Sequence, residues 1–352
     1  MAFDRMTDSA VDADWTDELL PGTTLLRGQY RIGKFLNSGG FGITYLAKDS
    51  LNRDVVLKEC YVAAFCRRSQ ISVRARSESS KPHLQTVIRS FLNEAQTIAS
   101  LSHPNIVQVH QVFEDNDTAY MALDYIKGYD LLEIIDEKKA PLTPQLIVAM
   151  ARKLISAIGH IHDQQLLHCD ISPDNVCVRT SDGEPILIDF GAARKSASGI
   201  GQKHSGFSQV KDGYSPYELY STGGTCGPWS DIYSLGATLY HAVSGAAPVD
   251  CQSRLSAIVE RRPDPLKPLA GRIRGYPPGF LESIDKAMRI KQAERHQSAQ
   301  DWLGMLVAPR PPRDRAVVLL RRVASTASLG RQVENRVLTA RVRWAQVSLA
   351  QV

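Results

Sequence analysis

The feature that most constrains the fold of this chain is a change of texture part-way along it. From Tyr30 to Ile126, short runs rich in Val, Ile, Tyr and Phe ("YRIGKFL", "GITYLAKD", "DVVLKEC", "IVQVHQVFED", "TAYMALDYI") alternate with turn residues, as antiparallel strands do. One segment among them has helical spacing, with Leu84, Val87, Ile88, Phe91, Leu92, Ala95 and Ile98 in "LQTVIRSFLNEAQTIASL". Beyond "KGYD" the strand-like runs give way to helices. "TPQLIVAMARKLISAIGHIHDQQ" is amphipathic and opens on Thr143-Pro144, an N-cap followed by the proline favoured at the first helical position. "DIYSLGATLYHAVSG" is apolar enough for a buried helix closing at Gly245, and "PGFLESIDKAMRI" and "SAQDWLGMLV" supply further helices. Strands first and helices afterwards predict an α+β architecture: a small antiparallel sheet with one main helix, then a larger, mainly helical part. Within the first part, the polar, serine-rich "CRRSQISVRARSESSKPH" between "DVVLKEC" and the helical segment reads as a long surface loop.

The two ends differ from this body. Asp4, Asp8, Asp12, Asp14, Asp17 and Glu18 make residues 1–24 an acidic, disordered leader, without the basic-then-apolar order of a secretory signal. After the linker-like "APRPPRDR", the tail from residue 308 is basic: from Arg310 onward nine Arg face only Asp314 and Glu334. The net charge of +5 therefore conceals a mildly acidic body, which argues against a nucleic-acid-binding domain. The tail reads first as a solvated charge run, with contact to an anionic surface as the alternative. Ser325 and Ser328 follow paired arginines in "LRRVASTASLG", which is either an autophosphorylation or docking segment or chance in an Arg- and Ser-rich stretch. No run approaches the roughly 20 apolar residues of a membrane helix. Six scattered cysteines without a Cys-x-x-Cys pair disfavour a zinc site or disulfide framework and fit a cytoplasmic, reducing setting.

Chemistry concentrates in four places. "FLNSGGFGITY" sits between two strand-like runs, where Gly39, Gly40 and Gly42 let backbone N–H groups approach phosphate oxygens; taken alone, a tight hairpin explains it equally well. Its strand–Gly–strand setting disfavours the phosphate loops that lead into helices. Lys58 ends "VVLK" on the next strand and can reach nucleotide phosphates if Glu94, on the following helix, directs it. "HCDISPDN" places Asp170 to accept a hydrogen bond from a substrate hydroxyl. Asn175, with Asp189 of "LIDFGAAR", offers the hard oxygen ligands that Mg²⁺ prefers. His168 reads as a residue that orients the loop. A bland Asp-rich turn explains either motif alone but not both in this order after Lys58 and Glu94.

These motifs resemble those of the protein kinase superfamily, specifically bacterial serine/threonine kinases of the eukaryotic-like type. The likeness runs from about Leu25 to Val307 and includes "SHPNIV", "MALDYIKGYD", "GYSPYE" and "WSDIYSLG". It implies a two-lobed protein-kinase fold, with an N-lobe of about 25–126 and a C-lobe of about 127–307. It implies ATP as phosphoryl donor with Mg²⁺ (or Mn²⁺), and protein substrates carrying Ser or Thr, with autophosphorylation among them. By the resemblance, Leu36, Asn37, Ser38, Gly39, Gly40, Phe41, Gly42, Thr44, Val56 and Lys58 line the nucleotide. Leu123 is the gatekeeper, Asp124 and Ile126 face adenine, and Asp130 lies near the ribose. Glu218 is expected to pair with Arg295, and Asp231 to anchor the catalytic loop.

Three departures stand out. Asn37 replaces the first glycine of the Gly-rich pattern, which weakens that loop without abolishing it. Cys169 replaces the arginine that gathers a phosphate on the activation segment, so activity should depend little on phosphorylation of Ser196, Ser198, Ser205 or Ser208. Cys169 itself reads as an inert small side chain, with a redox role as the alternative. Ser172 replaces the lysine that neutralises the migrating phosphoryl group, which should cost rate. Because Lys58, Asp170 and Asp189 all survive, the chain reads as active. The rivals are a pseudokinase scaffold and a small-molecule phosphotransferase of the aminoglycoside-kinase type, against which "GYSPYE" and "WSDIYSLG" stand.

Overall fold

The computed structural model describes residues 17–40, 42–190, 194–195, 210–221 and 224–306. Among these, 17–90 with 113–120 form one compact unit and 91–112 with 121–306 a second. The N-terminal elements are β1 (Thr24–Leu25), β2 (Tyr30–Gly39), β3 (Gly42–Asp49), β4 (Asp54–Cys60), β5 (Cys66–Ser69), β6 (Ser72–Ala75), α1 (Lys81–Ala99), β7 (Val109–Asp115) and β8 (Thr118–Asp124). Six of these strands make a sheet of order β1-β2-β3-β4-β8-β7. Period-two burial explains its core face: Ile43, Tyr45 and Ala47 on β3 and Val55, Leu57 and Glu59 on β4 are buried, and the residues between them are more exposed. Tyr30 stacks on Phe113, which stacks on Tyr120, each at 5.3 Å. Register shifts between Ile32 and Lys34 and between Phe35 and Asn37 mark bulges that bend β2.

Two expectations change here. The segment read as a surface loop forms the hairpin β5–β6, because a buried arginine organises it. Arg68 Nη2 lies 2.5 Å from Glu59 Oε2, and the hydroxyls of Tyr45 and Tyr120 donate to the same carboxylate at 2.9 and 2.6 Å. A basic, serine-rich composition hides this, since the partner carboxylate belongs to the preceding strand. The last part of the supposed disordered leader is also packed. Leu19 is buried and its N–H donates to the Tyr45 hydroxyl at 3.0 Å, while Asp17 accepts from the Tyr61 hydroxyl at 2.5 Å.

The second unit continues with β9 (Gly128–Asp130), α2 (Leu131–Asp136), α3 (Pro144–Asp163), β10 (Leu166–Leu167), β11 (Val176–Arg179), β12 (Pro185–Leu187) and β13 (Arg194–Lys195), then α4 (Pro228–Ser244), α5 (Cys251–Val259), α6 (Phe280–Ala287) and α7 (Ala299–Met305). Its core is helical. α3 buries Ile147, Leu154, Ile158 and Ile161, α4 is buried almost throughout, and Trp302 of α7 is fully enclosed with its indole N–H donating to Ser283 Oγ at 3.1 Å. Helix ends follow their residues: Thr143 Oγ1 accepts from the Leu146 N–H, and Gly245 closes α4 with φ 72°. α2, of six residues, is too short to show a helical period in the sequence, and α5 hides its period because its buried positions are Cys251, Arg254 and Ala257 rather than large apolar residues.

Candidate active site

The turn between β10 and β11 carries His168 to Asn175, and a buried carboxylate fixes its backbone. Asp231, in the first turn of α4, accepts from the N–H groups of His168 (2.9 Å) and Cys169 (2.8 Å) and from His162 Nε2 (2.9 Å). Burial would raise this carboxyl, but the His162 contact and these N–H donors outweigh it and hold the group below the ordinary carboxylate range. Cys169 adopts φ 61°, and its side chain packs with Leu167 and Leu219. His168 is fully buried against Phe190 at 4.5 Å, and its Nδ1 accepts from the Asp170 N–H at 3.3 Å. Burial pushes His168 down to about 4, so it is neutral and orients the loop.

Asp170 follows directly. Asn175 Nδ2 donates to its Oδ2 (2.9 Å) and to its backbone carbonyl (2.8 Å). These contacts use both amide hydrogens and leave the Asn175 side-chain oxygen as an acceptor for a cation. Burial pushes Asp170 up to about 6, with Lys211 pulling it down and Asp189 and Asp174 pushing it up. That places it close to the range in which a carboxylate can take a proton near neutrality. Asp189 has φ 58° and an exposed side chain, and the preceding Ile188 N–H donates to the Asn175 carbonyl at 2.9 Å. An amide oxygen and a carboxylate so tethered fit Mg²⁺, which keeps water and phosphate oxygens for the rest of its shell. Among the described residues no cluster of three or more His, Cys, Asp or Glu could hold a metal alone, and a site of this kind needs none.

The sheet aligns a second set. Asn37 lies opposite Thr44, and Thr44 opposite Lys58, so the three form one row across β2, β3 and β4. Leu36, Asn37 and Ser38 end β2, Thr44, Val56 and Lys58 are half-buried, and Phe41 lies outside the described residues. The glycines divide by role. A Cβ at Gly39 or Gly40 would meet nothing within 4 Å, whereas at Gly42 it would meet the Glu59 carbonyl at 2.1 Å. Gly42 is therefore required by strand packing, and only Gly39 and Gly40 present open backbone. Glu94 is half-buried on α1. Leu123 and Ile126 pack on the helical core, and Asp124 pairs with His110 at 2.8 Å. Asp130 is the N-cap of α2, accepting from the Glu133 N–H at 2.7 Å in a capping box. That local task is one the sequence reading had not assigned to it.

Glu218 and Arg295 pair at 2.7 Å, both buried. One residue was missed: Lys211, whose Nζ lies 2.8 Å from Ser172 Oγ, 2.9 Å from Asp174 and 3.3 Å from Asp170. The signal for it was a lysine shortly before "GYSPYE" in a chain whose loop lysine is missing. Ser196, Ser198, Ser205 and Ser208, the leader to residue 16 and the tail from residue 307 lie outside the described residues.

Comparison with known proteins places this geometry. A family model described as the protein kinase domain matches residues 30–267. The chain belongs to the protein kinase family, and its fold is the two-lobed kinase fold. Serine/threonine-protein kinase PrkC of Bacillus subtilis is 31% identical over 279 residues, spanning 78% of this chain and 40% of PrkC. PknD of Mycobacterium tuberculosis is 30% identical over 278 residues, 78% of this chain and 38% of PknD. The solved apo form of PpkA-294 matches with a TM-score of 0.69 and 31% identity, covering 83% of this chain and 100% of that one. The chain thus spans well under two thirds of the length of these curated kinases. Among the described residues no helix is long and apolar enough to cross a membrane.

Proposed function

We propose that the chain transfers the γ-phosphoryl group of ATP to serine or threonine hydroxyls of protein substrates, using Mg²⁺, with residues 25–307 as the kinase domain. The observation that carries this reading is Asp170, a partly desolvated carboxylate oriented by Asn175 on a loop tied to Asp231. Asp170 aligns the incoming hydroxyl and takes its proton as the new bond to phosphorus forms. Lys58, directed by Glu94, holds nucleotide phosphates. The Leu36–Thr44 hairpin with Val56 covers the nucleotide, Leu123, Asp124 and Ile126 receive adenine, and Asp130 serves the ribose. Asn175 and Asp189 hold the metal, with Mn²⁺ as a substitute; when bound, it offsets phosphate charge. Ser172 accepts a hydrogen bond from Lys211 where the family's loop carries a charge. With Cys169 where the family's arginine stands, the loop has no group to gather an activation-segment phosphate, so turnover depends little on phosphorylation there.

The test is incorporation of labelled phosphate from Mg·ATP into a protein acceptor by the purified chain, with phosphoamino-acid analysis and Asp170→Ala as control. Label on serine or threonine that disappears in Asp170→Ala supports the reading. Incorporation no higher than the control supports a nucleotide-binding scaffold, and transfer to small alcohols alone supports a metabolite kinase.

A further inference from the structure

Ser172 removes a positive charge from a place where three carboxylates gather. Asp174 and Asp189 both act electrostatically on Asp170 there, and the fully buried Ser172 side chain cannot offset them. The 210–218 segment brings a cation to the same spot. Lys211 Nζ donates to Ser172 Oγ at 2.8 Å and to Asp174 Oδ2 at 2.9 Å, and lies 3.3 Å from Asp170 Oδ1.

The backbone behind this side chain is firmly set. The Lys211 N–H donates to the buried Ser215 Oγ at 2.9 Å, and its carbonyl accepts from the N–H groups of Tyr214 and Ser215 at 3.0 and 2.9 Å. Gly213 passes so close to Pro248 that a Cβ would meet its carbonyl at 2.8 Å. Glu218, at the end of the segment, is held by Arg295. A lysine tethered at both levels is costly to order unless its charge is needed where it ends.

We infer that Lys211 is the cation of the phosphoryl-transfer site, supplying from the 210–218 segment the charge that the catalytic loop of the family supplies from the position occupied here by Ser172. The inference rests on the phosphoryl-transfer reading above. In that reaction the substrate hydroxyl oxygen bonds to the γ-phosphorus, the β–γ bridging bond breaks with its electron pair leaving on ADP, and the hydroxyl proton passes to Asp170. Lys211 steadies the Asp170 carboxylate and offsets negative charge on the migrating group. The cation thus arrives with the segment, so transfer requires 210–218 to be docked against the loop.

The experiment uses the full 352-residue chain and compares kcat, KM for ATP and the thermal midpoint across a set of variants. Lys211→Ala and the size-matched Lys211→Met are expected to lose about 10²-fold in kcat, with KM for ATP changing by less than about threefold. Lys211→Arg is expected to keep part of the rate. The exchange Ser172→Lys with Lys211→Thr returns the lysine to the loop and is expected to recover at least about tenfold over Lys211→Thr alone. A Lys211→Met protein that stays folded and turns over within threefold of the parent overturns the inference, as does an exchange variant that folds without recovery. If the parent itself transfers no phosphate above Asp170→Ala, both this inference and the kinase reading fail; loss of the inference alone requires an active parent.

Discussion

At the residue scale, the catalytic loop depends on one side chain more than on its own sequence. Asp231 satisfies two loop N–H groups and His162, so Asp231→Ala strands buried donors, each worth about 1–3 kcal/mol. We expect a loss of about 2–5 kcal/mol in urea denaturation, together with a fall in phosphoryl transfer. Histidines make a separate prediction. Burial lowers His168, His241 and His296, so the unfolded chain binds protons that the native chain refuses. Stability from these groups is full above the ordinary histidine value of 6.5 and is lost as pH falls below it, for His168 down to about 4. His296 donates to the Ser283 carbonyl and stacks on Trp302. His296→Gln keeps a donor but cannot titrate, so denaturation midpoints between pH 7 and pH 4 should decline less steeply than in the parent. The anchoring of the loop by Asp231 was legible because both partners lie in recognisable motifs. Lys211 was not, because its partner Ser172 lies 39 residues away and its signal, a lysine before "GYSPYE", has meaning only when paired with the lysine missing from the loop.

At the element scale, long periodic segments were readable and short or paired ones were not. α3 announced itself through its cap and period and α4 through its apolar run and closing Gly245, whereas α2 lacks the length and α5 buries an arginine and small residues in place of an apolar stripe. The β5–β6 hairpin escaped because its driving contact, Arg68 with Glu59, is polar and buried, a combination that composition reads as surface. The Gly-rich hairpin separates two demands that the sequence merges. Gly42→Ala should cost about 1–3 kcal/mol, because its Cβ meets backbone of β4. Gly39→Ala should stay within about 0.5 kcal/mol, since it meets nothing. Paired denaturation curves with KM for ATP would show the first variant failing in stability and the second altering, at most, nucleotide affinity.

At the scale of the whole molecule, the order of the motifs made the fold legible, because each short signal constrained the next. Their three-dimensional closure was partly legible too: Glu218 and Arg295, 77 residues apart, meet in a buried two-point contact, with the guanidinium also 4.8 Å from the Tyr233 ring centroid. Removing one partner leaves an uncompensated buried charge. Arg295→Ala is expected to lose about 3–5 kcal/mol, and Arg295→Lys less, because a lysine keeps the charge but not the planar fork. Thermal and chemical denaturation of the two variants provide the check.

Consecutive residues of a strand face opposite ways, and β4 carries Lys58 next to Glu59. Sliding that strand by a single position would drive the ammonium into the hydrocarbon interior and strand Arg68 without its counter-ion. The tyrosine-lined carboxylate therefore acts as a ratchet tooth: it admits one alignment of β4 and, by doing so, commits the neighbouring amine to the other side of the sheet.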